Sequence, residues 1–266
     1  MRNMMRNIAL VAYYGSKPEG LAKLILACQK QISETLGDAF HPYELAQIHA
    51  TLISMERVDE STMYNLTFAE RRNQLKEMDF AGFLNFVRTE AAIPFQIQLG
   101  GFQAYNYSFT SRGLAPYERS FSIQDNKAVL IGWPLCKQPQ SVSDSVVCQS
   151  DLENYRHPMT LDQMRKSFQR FNMLHKYHMN PTDIDNDFYL RLGLLEPTAI
   201  NPDVKAALES AIRTAMSSPV PIRLYVSISD LYLVSYVDET LPLKSTRALQ
   251  ISDKSVTPEM IHTLYQ

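Results

Sequence analysis

The sequence predicts an α+β protein folded as a single bilobal domain over residues 1–266. Three observations carry that expectation. The first fifty-odd residues read as strand, helix and strand. The final third repeats that rhythm, which suggests two similar lobes. Between them lie short alternating segments and turn residues, with no long polar linker to separate domains.

The elements follow in order. Residues 8–13 form a continuous apolar run ended by Gly15 and Pro18, the pattern of a buried strand. Over 19–36, Leu21, Leu24, Ile25, Cys28 and Ile32 recur at helical spacing, and Gly37 stands where the helix should stop. Residues 48–54 return to a strand pattern. Residues 79–90 put Phe80, Phe83, Leu84 and Val87 on one helical face, and 95–99 alternate strictly before Gly100-Gly101. Two short strands, 120–123 and 128–133, flank Asp125-Asn126, a good hairpin turn. The stretch 135–158 is rich in Ser, Gln and Pro and predicts a long mobile loop. A helix over 160–178 and a strand over 188–195 follow, then a helix over 202–217 with Asn201 as N-cap and Pro202 in its first turn. Segments 222–228 and 231–237 predict paired strands, with a last strand near 246–251.

Bulk properties narrow the function classes. The chain is 45% hydrophobic and 20% charged with a net charge of -2, which argues against wholesale disorder and against an extended basic footprint for long nucleic acid. A small anionic ligand stays open, because a few local donors hold one phosphate. Cys28, Cys136 and Cys148 are odd in number and form no C-x-x-C pair, which speaks against a disulfide scaffold and a structural zinc site. The apolar run after the methionine-rich start is too short to span a membrane and has no small-residue cleavage site, so a cytoplasmic protein without membrane contact is expected.

Two segments carry candidate chemistry. In a strand, His49 and Thr51 share one face while Ile48, Ala50 and Leu52 suit the core. An imidazole moves protons near neutral pH and a neighbouring hydroxyl hydrogen-bonds a phosphoryl oxygen, so the pair suits a phosphoester. The alternative is a chance H-x-T in a chain with six histidines. By the same alternation Tyr189 and Arg191 share a face. There a guanidinium clamps phosphate through two hydrogen bonds and a phenol donates a third. The plain alternative is a surface arginine beside a half-buried tyrosine.

With these residues the chain resembles the two-histidine phosphoesterase superfamily, which includes 2′-5′ RNA ligase-like and cyclic-phosphodiesterase proteins. His49-Ala50-Thr51 matches the first H-x-[ST] motif. Tyr189-Leu190-Arg191-Leu192-Gly193, with the helix and two strands after it, falls where the second belongs. The resemblance implies pseudo-symmetric lobes of antiparallel sheet, helices packed outside, and a central cleft. It also implies a metal-independent phosphodiesterase needing no cofactor and acting on a nucleotide or short RNA end, such as a 2′,3′-cyclic phosphate. His49, Thr51 and Tyr189 take the catalytic positions and Arg191 a substrate-binding one; Arg112 and Arg119 join the substrate-binding candidates only from the residue pattern of their own segment. The departure is that Tyr189 stands in place of the second histidine and Arg191 in place of the second Ser/Thr. Tyrosine, with a pKa of about 10, exchanges protons poorly at neutral pH, and arginine does not exchange them. A phosphate- or nucleotide-binding protein without turnover is therefore a second reading. A structural or partner-binding protein without ligand is a third.

Other residues admit both a functional and a plainer role. His175 and His178 lie three apart on the expected helix, where both can face the cleft and offer a replacement for the missing second histidine, beside Asp183, Asp185 and Asp187. This is a metal-like spacing, though a solvated helix end followed by an acidic turn is the simpler expectation. Phe188 stands where a calcium loop needs glycine, which removes calcium and leaves no metal site expected. Arg112 and Arg119, with Tyr105, Tyr107 and Tyr117, read either as a stacking and phosphate-steering rim or as a polar loop with aromatic anchors. Trp133 is expected in the core.

Overall fold

The computed structural model describes residues 5–104, 107–137, 155–217 and 221–266. Strand β1 (Asn7–Ala12) is buried on both faces, as its unbroken apolar run requires. Helix α1 (Glu19–Leu36) follows, buries Leu21, Ile25, Cys28 and Ile32, and stops at Gly37, whose φ of 54° suits a residue without a Cβ. Next come β2 (Phe40–Pro42) and β3 (Ala50–Ser54). Helix α2 (Leu66–Arg72) is capped by Asn65, and α3 (Phe80–Asn85) by Asp79 before a wider turn over Phe86–Glu90. Strand β4 (Phe95–Leu99) and helix α4 (Pro116–Ser120) lead to the hairpin of β5 (Phe121–Gln124) and β6 (Lys127–Lys137). Strand β7 (Tyr155–Arg156), helix α5 (Thr160–Ser167), β8 (Phe188–Leu195) and helix α6 (Pro202–Met216) come next. The chain closes with β9 (Ile222–Val226), β10 (Leu231–Tyr236), β11 (Arg247–Gln250) and helix α7 (Pro258–Leu264).

The class is α+β, with the pairings among named strands of the described residues all antiparallel. The sheet runs β11-β10-β1-β3-β8-β6-β4-β9, with β2 beside β8 and both β5 and β7 beside β6. Its two halves meet at β3 and β8 through one register pair, Ala50 opposite Leu190. One face packs against the helices. Ile8, Leu10, Leu52, Ile53, Leu190 and Leu192 join residues such as Ile25, Phe83, Met164, Ile212 and Ile261 in the main core. The other face carries two smaller apolar clusters, Ala9, Val11, Val234 and Tyr236 on the β1 side and Phe102, Val129, Ile131 and Trp133 on the β6 side. No helix among the described residues is long and apolar enough to cross a membrane.

Several expectations need correction. The loop expected over 135–158 begins and ends as strand, with Cys136 opposite Arg156; its middle, 138–154, lies outside the described residues, as do Cys148, Tyr105 and the first four residues. The helix expected over 160–178 ends early. After α5 a short 3-10 turn over Phe168–Phe171 reaches Asn172, whose φ of 59° is left-handed, and the helical path stops. Strands β9 and β10 do not pair with each other, since β9 adds to β4 and β10 to β1. Between them Ser227 caps a 3-10 turn over Ile228–Asp230, and no residue there adopts the positive φ that a tight hairpin demands. Strand β3 begins at Ala50, with Ile48 and His49 just before it.

Candidate functional site

The Ala50–Leu190 pairing builds the site. In an antiparallel pair with this register, His49 lies across from Arg191 and Thr51 across from Tyr189, and all four side chains fall on one face. The opposite face receives Ile48, Ala50, Leu52, Phe188, Leu190 and Leu192, each at most 1% exposed. The four polar residues line one cavity of about 170 Å³, together with Arg112.

Both motif strands bulge one residue past the tripeptide. On β3, Val11 pairs with Thr51 and Leu10 with Ile53, so Leu52 has no partner in the ladder. On β8, Arg191 pairs with Val129 and Gly193 with Ala128, so Leu192 has none. At each bulge a buried helix side chain binds the carbonyl of the unpaired residue, and at Leu192 that carbonyl also accepts from the Tyr43 backbone N–H at 2.9 Å. Arg165 of α5 donates from Nε to Leu52 O at 3.2 Å, and Gln29 of α1 from Nε2 to Leu192 O at 2.9 Å. Arg165 also binds the carbonyls of Thr51, Asp185 and Asp187, which ties β3 to the segment entering β8. The β3 bulge carries Ser54 and Glu56 round to the cavity. Its trace in the sequence is the break in alternation at Leu52-Ile53.

The protonation states differ between the strands. His49 Nδ1 lies 2.8 Å from the carbonyl of Gln47, which only accepts, so Nδ1 carries the hydrogen and Nε2 keeps its lone pair. Burial is the main cause that pushes the imidazole down to about 4, and Arg191 and Lys17 reinforce it against the Gln47 bond. His49 is thus neutral at pH 7 and able to accept a proton. Burial pushes the Tyr189 phenol up to about 12, even with Arg191, Arg112 and Arg119 nearby, so it stays a donor. Arg191 has a long 3.5 Å contact to Tyr43 Oη and no ion-pair partner among the described residues. Thr51 Oγ1 faces the cavity without a protein partner among those residues.

Arg112 sits in a tight turn at φ 50° with its guanidinium 4.0 Å from the centre of the Tyr177 ring, which lines the cavity beside it. Arg119 does not reach the cavity. It is 6% exposed and paired with Asp187 at 3.0 Å. Asp187 also accepts from Ser111 Oγ at 2.7 Å and Trp133 Nε1 at 2.8 Å, so Trp133 is core and its one donor is satisfied. Tyr107, Phe109 and Tyr117 pack on the same apolar cluster, as aromatic anchors of this loop.

The histidine and acid segment departs most from expectation. His175, His178, Asp185 and Asp187 are buried, not solvated, and His175, Asp185 and Asp187 line the cavity. His178 Nε2 pairs with Asp162 at 2.9 Å, and Asp185 lies 3.5 Å from Arg165. Lys127, Lys176, Tyr236 and Glu239, which sequence patterns did not single out, also line it. No group of His, Cys, Asp and Glu suited to hold a metal occurs among the described residues. Comparison with protein-family models, curated proteins and solved structures finds no match for this chain.

Proposed function

We propose that this chain is a two-histidine phosphoesterase-like protein that holds a phosphorylated ligand, a nucleotide or a short RNA end, in the cavity between β3 and β8. The observation that carries the reading is the Ala50–Leu190 register, which puts His49, Thr51, Tyr189 and Arg191 on one face of one cavity. In this reading Arg191 neutralises the phosphate through its guanidinium fork, and Thr51 Oγ1 and Tyr189 Oη donate to phosphoryl oxygens. His49 Nε2 is the proton acceptor. The opposite strand supplies no matching proton donor of suitable pKa, so retention of the ligand comes first and turnover second.

The second reading, metal-independent hydrolysis of a 2′,3′-cyclic phosphate, is favoured by one observation, the neutral His49 imidazole with Nε2 unengaged. Here Nε2 would take a proton from water as its oxygen attacks phosphorus. The departing ribose oxygen would recover a proton from solvent or from Tyr189. The test is an assay of 2′,3′-cyclic nucleotides with and without chelator, beside direct nucleotide binding. Turnover that survives chelation and vanishes in His49→Ala supports the enzyme. No turnover, with binding weakened roughly 10- to 100-fold in Arg191→Ala, supports the binding protein. If a broad phosphoester panel yields neither, the phosphate reading is wrong.

A further inference from the structure

His175 is a buried imidazole that the protein leaves unsatisfied. It is 6% exposed, and its Nδ1 has no hydrogen-bond partner. Buried polar atoms in folded proteins nearly always have one, so an orphan calls for an explanation. His178 also has an unpaired Nδ1, yet its Nε2 is bonded to Asp162 and it does not line the cavity. His175 does line it. A carboxylate oxygen of Asp185 lies 3.4 Å from His175 Nδ1, close enough to pair once the ring is charged but not aligned as a hydrogen bond.

The charges around the ring come from every side. Lys176 and His178 belong to its own segment, with Tyr177 5.5 Å away ring to ring. Asp185 comes from the segment entering β8, Arg165 from α5, and Arg112 from the turn over 111–114. Burial and then these cations hold the imidazole well below its ordinary pKa. Burial is the larger cause, and the share owed to the cationic neighbours is what an anion in the cavity offsets. An opposite charge within about 4–6 Å displaces a titration by roughly 1 to 3 pH units.

We propose that His175 is a further ligand of the phosphate in this cavity, and that its ring takes up a proton from solvent as the anion enters. The imidazolium then donates from Nδ1 to Asp185 Oδ2 and from Nε2 to a phosphoryl oxygen, which satisfies both ring nitrogens. This inference rests on the reading of the cavity as a phosphate site.

Inorganic sulfate is the probe, because it stays a dianion near neutral pH and any proton taken up must go to the protein. Titration calorimetry in buffers of different ionisation heat is expected to show uptake of up to ~1 proton per sulfate, and affinity should rise up to about tenfold per pH unit of acidification. His175→Gln is expected to abolish most of the uptake, whereas His41→Gln, at an exposed histidine outside the cavity, retains it. Because His175→Gln replaces a buried ring, the wild-type chain supplies a second measurement. Its His175 ring nitrogens, followed by NMR, are expected to move to imidazolium values on sulfate addition. Uptake that persists in a folded His175→Gln, or a ring that stays neutral with sulfate bound, overturns the proposal alone. Failure of the wild-type chain to bind sulfate and phosphate esters overturns the phosphate reading and this inference with it.

Discussion

His49-Ala50-Thr51 on β3 and Tyr189-Leu190-Arg191 on β8 occupy matching backbone positions and carry opposite chemistry. Their middle residues pair, each strand bulges one residue later, and at each bulge a buried helix side chain binds the carbonyl of the unpaired residue. On β3 the polar residues are a neutral imidazole and an open hydroxyl. On β8 they are a phenol that keeps its proton and a cation that never loses one. The backbone device that aims side chains into the cavity is therefore independent of whether those side chains move protons. Such a site can keep its geometry whatever acid-base chemistry its side chains carry.

The largest expected effect comes from erasing the contrast. Tyr189→His combined with Arg191→Thr places H-x-T on both strands, and turnover of 2′,3′-cyclic nucleotides is expected to rise on the order of 100-fold or more. If nucleotide binding survives in this double variant and turnover does not rise, the second position is not what limits catalysis. A smaller effect separates the two bulge supports. Arg165→Met removes a buried cation that binds four carbonyls and faces Asp185, and should cost about 3–5 kcal/mol of stability in denaturant titrations. Gln29→Leu removes a neutral amide from two carbonyls and should cost about 1–3 kcal/mol. Equal losses would mean that the two supports are energetically alike despite their different charge.

A further effect concerns pH. His49, like His157, His175 and His178, is held neutral by burial, with its folded pKa below the unfolded value. The unfolded chain then binds more protons, so stability is complete above the unfolded pKa of about 6.5 and falls as pH drops below it. The His49 share of that loss runs down to about pH 4. Thermal melts across this range should show an acid limb that His49→Gln makes shallower. An unchanged limb in that variant would argue against a neutral His49.

Much of this was legible in the sequence because strand alternation is a strong constraint. Once residues near 48–54 and 188–195 are strands with apolar alternate positions, the placement of His49, Thr51, Tyr189 and Arg191 follows. The hairpin at Asp125-Asn126 was equally readable, and Asp125 has a φ of 55°. Arg119 was not, because a buried arginine and a rim arginine look alike until Asp187 is seen to need it. The early end of the helix at Asn172 was missed because the buried Met173 and Leu174 continue the apolar rhythm beyond the stop. The separation of β9 from β10 is a sheet-level property. Neighbouring strands in sequence pair by default, and only the capped 3-10 turn at Ser227 hints otherwise.

Asp187 has a consequence for how the cavity receives a ligand. One carboxylate joins the loop through Ser111, α4 through Arg119, and β6 through Trp133, at the residue just before β8 begins. Arg112 is the neighbour of Ser111, so the wall it forms is in position before anything enters. If the cavity holds the proposed anion, little of the affinity would go into ordering that wall, because its conformational entropy was surrendered when the chain folded.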